Sequence, residues 1–216
     1  MQSKKSKPNI LIACEESQAV CIEFRNLGLN AYSCDIQDCS GGYPQWHIRD
    51  NVMNQLKYNW DLIIAHPPCT YMSNAGARWM YTKPGEINLE RLMKAEAAKA
   101  FFMIFFNLTK CKHICIENPQ PLKIIGLPKP SQIIQPYMFG EPYSKKTMLW
   151  LKGLPKLRPT KIVDNYTPYI PSNTSKFAQG KGGSNGIAHT SKQRSKTFKG
   201  IASAMAIQWS TYLNYV

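Results

Sequence analysis

Short apolar runs separated by amphipathic stretches organise the first half of the chain. Asn9-Ile10-Leu11-Ile12-Ala13 is apolar at consecutive positions and reads as a strand covered on both faces. Ser17 to Leu27 mixes polar and apolar positions at helical spacing and stops at Gly28, a residue that commonly ends helices. Asn30 to Asp35 is a second strand ending in an acid, and after the Gly41-Gly42 turn Asp61 to Ala65 is another. Asn88 suits the cap of a long helix through Phe106, with an apolar stripe at Leu89, Leu92, Met93, Ala97, Ala100, Phe101 and Ile104 that also takes in Glu96. Phe102, Phe105 and Phe106 fall outside that stripe, so the second half of this helix is expected to be covered on more than one side. His113-Ile114-Cys115-Ile116 is a further strand ending at Glu117-Asn118-Pro119.

Strands alternating with helices predict an α/β fold, a doubly wound and mostly parallel sheet with helices on both faces. In such sheets, sites gather at the carboxyl ends of the strands. Asp35, Cys69 and Glu117 each stand at or just past such an end, which predicts that they share one crevice. The character changes after Pro155. Residues 156–199 are rich in Lys, Gly, Ser, Asn and Pro, with "AQGKGGSNG" at 178–186, and a plain linker is one reading of that composition. From Ile201 onward Ala202, Met205, Ala206, Trp209 and Leu213 share one side of a terminal helix that is expected to pack back on the core. The expected organisation is therefore a core over 1–155, a short basic recognition or loop segment over 156–199, and a C-terminal helix over 200–216.

Charge adds a partner class. Lys and Arg outnumber Asp and Glu by 27 to 13, a net charge of +14 that favours a polyanion. The excess is uneven: from Lys152 to Lys199 there are ten basic residues and one acid, Asp164. Aromatics at 166, 169, 177 and 198 interleave with these charges, as in a nucleic-acid contact region and unlike an inert linker. No apolar run approaches the length of a membrane span, and the start MQSKKSKP is not a secretory signal. The seven cysteines are odd in number and form no Cys-x-x-Cys pair, so they read as reduced thiols of a cytoplasmic protein.

The candidate chemistry centres on "HPPCTYMSNAG", residues 66–76. Pro67 and Pro68 end the strand and stiffen the loop, which gives the Cys69 thiol a pre-set direction. A nucleophile suits that position, and an ordinary loop cysteine is the alternative. Glu117 closes an apolar strand, where a carboxylate needs a partner or a proton. It reads as a hook for a base or a general acid, with Asn118-Pro119 as turn formers beside it. Asp35 is placed to hold a ribose, and Asp50, in "HIRDNV", an adenine edge; a solvated or capping aspartate is the alternative at each. Metal readings fit poorly. Neither His66-x-x-Cys69 nor the alternating Cys111, His113 and Cys115 has the paired spacing of structural zinc, so no metal is expected. A zinc deaminase needs His-x-Glu, which is absent, and Pro-Cys-x-x-Cys, whose last position is Met72 here.

Taken in order, "LIACEES" (11–17), "SCD" (33–35), "WDLIIAHPPCTYMSNAGARW" (60–79), "IENP" (116–119), "QPYMFGEPYSKKTMLWLKGLP" (135–155) and "GIASAMAIQW" (200–209) resemble the DNA cytosine-5 methyltransferases, most closely the compact type encoded by bacteriophages. The resemblance runs over almost the whole chain and is weakest at 156–198. It implies a Rossmann-like class I methyltransferase fold and S-adenosyl-L-methionine as cofactor, held by Ala13, Cys14 and Glu15 of the first loop, by Asp35, by Asp50 and by Pro67. It implies that Cys69 adds to C6 of a flipped cytosine while Glu117, on a loop shaped by Asn118, holds the N3 edge. DNA is the implied partner, in the cytoplasm of a host cell if the chain is phage-encoded. Lys145 and Lys146 stand where the family carries an arginine pair, and Arg78, Lys192, Arg194 and Lys196 are further candidate contacts. The first loop reads Ala-Cys-Glu-Glu-Ser where the family is glycine-rich, and the recognition segment is short. Methylation of RNA or of a free cytosine nucleotide, and a non-catalytic nucleic-acid binder on the same fold, are the alternatives. An amino-group methyltransferase places an aromatic directly after Pro-Pro, and Tyr71 comes too late for that.

Overall fold

Seven strands form one sheet: β1 (Asn9–Ala13), β2 (Asn30–Asp35), β3 (His47–Arg49), β4 (Leu62–Ala65), β5 (Ile114–Pro119), β6 (Gln132–Ile134) and β7 (Thr147–Lys152). This computed structural model describes residues 7–169 and 190–216. The stretch 178–186, with Lys176, Phe177 and Lys181, lies outside the described residues. Spatial order is β3-β2-β1-β4-β5-β7-β6. β7 runs antiparallel to both β5 and β6, and every other pairing is parallel. That is a doubly wound, mostly parallel, Rossmann-like arrangement.

Alternation along the strands divides the core into two layers. Ile10, Ile12, Leu62, Ile64, Cys115 and Leu149 face α1 (Ala19–Asn26) and α5 (Lys199–Tyr212), among Val20, Phe24, Met205 and Trp209. Leu11, Ala13, Ile63, Ala65, Ile114 and Ile116 face α2 (Val52–Gln55) and α3 (Leu89–Asn107), among Val52, Phe102 and Phe105. Such two-sided burial is why these strands read as continuous apolar runs.

Local chemistry sets the helix ends. Gln18 is left-handed (φ 58), so α1 starts at Ala19, two residues later than its pattern suggests, and it closes at Gly28 with φ +76. Asn88 caps α3 by accepting from the Arg91 N–H at 3.0 Å. The α3 stripe is corrected. Leu89 and Met93 are 71% and 67% exposed, whereas Ala95, Phe102 and Phe105 are buried. Aromatic area decides the rotation: Phe102 meets Trp150 of β7 edge-on at 4.9 Å, and turning Leu89 and Met93 inward would expose those rings. α5 packs on α1, with the fully buried Trp209 donating Nε1–H to the Pro155 carbonyl at 3.0 Å. Among the described residues no helix is long and apolar enough to cross a membrane.

Candidate active site

β4 lies between β1 and β5, and its register pairs Ala65 with Ala13 on one side and with Ile116 on the other. The next residues, His66 and Glu117, are therefore neighbours at the carboxyl edge. The His66 N–H donates to the Ala13 carbonyl at 2.9 Å, and His66 Nδ1 stands 2.9 Å from Glu117 Oε2. Both side chains are nearly out of solvent, 10% and 12% exposed.

Two further sets of bonds close the gap between the Pro-Pro-Cys loop and the end of β5. Asn118, one residue on and facing the other way, donates Nδ2–H to the Pro67 carbonyl at 2.7 Å. After Cys69, whose carbonyl accepts from the Met72 and Ser73 N–H groups, the chain is strapped to residues 120–122. Asn74 N–H donates to Gln120 O at 2.9 Å and Leu122 N–H to Met72 O at 2.8 Å. From α3, Arg91 donates to the Thr70 carbonyl at 2.6 Å and lies over the Tyr71 ring. The loop that carries Cys69 is thus tied on three sides, as a positioned nucleophile requires.

Electrostatics follow the geometry. Burial pushes the Cys69 thiol up, the Glu117 charge adds to this, and Lys145 and Arg194 oppose it. For Glu117, burial disfavours the charge, but the His66 hydrogen bond and charge, with Lys145, outweigh it and hold the carboxyl below its ordinary value. For His66, burial disfavours the imidazolium, yet its bond to Glu117 and the charges of Glu117 and Glu15 outweigh that and raise it. Each group thus favours the charged form of the other across a buried contact.

The expected cofactor residues stand at or just past the carboxyl ends of β1, β2, β3 and β4. Ala13 is fully buried and offers only backbone. Cys14 adopts φ 60, and burial, with smaller effects from Asp35 and Cys34, pushes its thiol up to about 12. Glu15 has another role: its oxygens accept from the Val20 and Cys21 N–H groups at 2.7 and 3.2 Å, so it caps α1. Pro67 is buried, with its carbonyl taken by Asn118. Asp35 accepts from Gln37 N–H at 3.0 Å, and its carbonyl accepts the Asp50 N–H. The Asp50 carboxylate is oriented by Asn51 N–H, Asn54 Nδ2 and Gln55 Nε2 at 2.7 to 2.9 Å, and these bonds lower its pKa.

The basic candidates fall into two groups. Arg78 is exposed over the Trp79 ring at 4.3 Å, and Trp79 itself is 55% exposed. In the second group Lys145 is half-buried and donates Nζ–H to the Arg194 carbonyl at 2.6 Å, while Lys146, Lys192 and Lys196 are exposed. Arg194 and Lys192 belong to α4 (Ser191–Ser195).

Sequence reasoning weighed His66 only as a metal ligand and passed over Arg91, Ile36 and Glu16. Ile36, directly after Asp35, is 72% exposed, and Glu16 Oε2 is buried without a hydrogen-bond partner among the described residues. For His66 a signal existed, since a titratable residue directly after a buried strand and before Pro-Pro sits at the same edge as Glu117.

No protein-family description matches the chain, and no curated protein does. Among solved structures it is similar to the S. pombe Dnmt2 methyltransferase, at 11% identity and a TM-score of 0.41, over 75% of this chain and 52% of that one. The chain thus spans about half the length of that protein, and its fold is read from strand order and packing alone.

Proposed function

We propose that the chain transfers a methyl group from S-adenosyl-L-methionine to C5 of cytosine in DNA through a covalent bond between Cys69 and C6, as a compact enzyme of the bacteriophage type. The observation that carries this reading is the fastening of the Cys69 loop to the end of β5 beside Glu117, by the Asn118–Pro67 bond and the backbone strap.

C5 of cytosine is a poor nucleophile, so addition at C6 splits one hard step into easier ones. Cys69 gives up its proton to solvent and reacts as the thiolate; as Sγ bonds to C6, electron density moves through C5 and C4 to N3, which takes a proton from the Glu117 side chain. C4–C5 becomes an enamine and C5 accepts the methyl group. Loss of the C5 proton to a base and return of the N3 proton then expel Cys69. A duplex hides both faces of the base, so the cytosine has to be flipped out.

The edge of β1 to β3 fits the cofactor. Asp35 and Asp50 are neighbouring acids for the ribose and the adenine edge, and exposed Ile36, directly after Asp35, offers the adenine an apolar platform. The unpartnered, buried Glu16 Oε2 suits a cationic ligand. When bound, the cofactor supplies an electrophilic methyl group. For the nucleic acid, Arg78, Trp79, Arg91 and Lys94 form one basic group and Lys145, Lys146, Lys192, Arg194 and Lys196 a second. Trp79 among them suits stacking on an unpaired base.

The test is mass spectrometry of nucleosides from the DNA and RNA of cells expressing the protein, Cys69→Ala or Glu117→Gln. 5-Methylcytosine in DNA is expected with the intact protein, none with Cys69→Ala, and at least a hundredfold less with Glu117→Gln. The same signal in RNA alone moves the substrate assignment to RNA. Full activity of either variant refutes the mechanism, and no product in either polymer from folded protein refutes the reading as an enzyme on nucleic acid.

A further inference from the structure

We propose that His66 holds the proton that Glu117 presents to N3 of the target base, making His66 a positioning residue built into this chain's catalytic edge. The inference rests on the functional reading above. Its grounds are geometric. The imidazole is nine-tenths buried, its Nδ1 lies 2.9 Å from Glu117 Oε2, and its backbone is locked to β1 through the Ala13 carbonyl. The other nitrogen, Nε2, is also buried, with no hydrogen-bond partner among the described residues, so the hydrogen bond from the ring is the one Nδ1 makes with Glu117.

The chemistry gives the pair a task. N3 of cytosine presents a lone pair, and an ionised carboxylate facing it repels it. Glu117 accordingly needs a proton at the moment Cys69 adds, at a pH where a carboxylate at its ordinary value has none. An imidazolium in contact supplies it. One proton passes from Nδ1 to the Glu117 carboxyl and one from that carboxyl to N3, while the Cys69 electron pair forms the bond to C6. The sum leaves a neutral imidazole, a carboxylate and a protonated N3. When Cys69 departs, N3 returns its proton to Glu117 and His66 recovers its own, so nothing is consumed. The charged groups acting on His66 are Glu117 from β5, Glu15 from the loop after β1 and Lys145 from the turn before β7. The two acids favour the imidazolium and the lysine opposes it. Burial acts against the imidazolium too, and the contact with Glu117 is what overcomes it.

His66→Gln tests this, because glutamine keeps a donor for Glu117 but cannot store a proton. Single-turnover methylation rates are measured from pH 5.5 to 8.5 with saturating cofactor. At pH 8 the variant is expected to be at least 30-fold slower than the intact protein, and the deficit is expected to shrink to a few-fold at pH 5.5, where Glu117 is protonated more often from solvent. A deficit of the same factor at every pH, or none, overturns the proposal. A second measurement needs no turnover: ¹⁵N-histidine NMR of the full chain. His66 is expected to carry both protons at pH 7.5 in the intact protein and to lose one in Glu117→Gln. A His66 already neutral at pH 7.5 overturns the proposal. If the intact protein methylates nothing while this signature is present, the functional reading fails and the ion pair stands.

Discussion

Gly200→Ala sets helix propensity against packing at one position. Gly200 is in the first turn of α5, where alanine is the better helix former by at most about 1 kcal/mol. A Cβ there would stand 1.9 Å from the Phe139 carbonyl oxygen, 3.0 Å from its carbon and 3.2 Å from Phe139 Cβ. Ordinary carbon contacts begin near about 3.5 Å, so backbone has to move by more than about 1 Å. Neither side yields easily. Phe139 is 4% exposed, its N–H is bonded to the Pro136 carbonyl, and the adjacent Met138 carbonyl accepts from Thr160 and Lys161. α5 is anchored by the buried Trp209, and the Gly200 N–H faces Glu141 Oε1 at 3.4 Å. Overpacking costs about 1–3 kcal/mol, and so deep an overlap with backbone belongs at the upper end. The net expectation is a loss of about 2 kcal/mol, which lowers Tm by about 4–8 °C for a chain of this size. Circular-dichroism melts of the variant and the intact protein measure it, with Ile207→Ala, at a position 52% exposed on the same helix, as a control expected to change little. A Tm equal to or above that of the intact protein refutes the close approach of α5 to the Phe139 turn.

The His66–Glu117 pair also marks stability. A histidine raised above its ordinary 6.5 contributes fully below that pH and loses its contribution as pH rises through the folded value, whereas a glutamate held below 4.5 contributes above that pH and loses it as pH falls. The pair therefore contributes most between those two values, and urea denaturation of Glu117→Gln should show a larger loss at pH 5.5 than at pH 9; an equal loss at both counts against the ion pair. The double variant Arg78→Ala/Trp79→Ala should bind a cytosine-containing oligonucleotide about tenfold or more weakly, with a shallower salt dependence and unchanged cofactor affinity, read by fluorescence anisotropy. Unchanged oligonucleotide binding removes that flank from the interface.

The legible parts of the chain are those whose pattern is local. β1 and β4 are continuous apolar runs because helices cover both faces, and Asn88 and Gly28 announce helix ends with their own chemistry. β3, β6 and β7 went unread. The first two are three residues long, too short for a period to show, and β7 is antiparallel, outside the strand–helix alternation by which the parallel strands were read. The α3 stripe was read one face away because Leu89 and Met93 fit helical spacing as well as Ala95 and Phe102 do, and only the contact with Trp150 separates the two.

The candidate active site divides the same way. That Cys69 and Glu117 stand at strand ends, and that a sheet gathers strand ends at one edge, follows from the sequence alone. That β4 lies directly beside both β1 and β5 does not, because adjacency across 51 positions is written in no local pattern. That adjacency turned His66 from an unlikely metal ligand into the partner of Glu117, and the fold around the first loop gave Glu15 the bonds that cap α1. Periodicity specifies which way a side chain faces along its own strand; the partner it finds there is decided by register between strands, which only the packed sheet supplies.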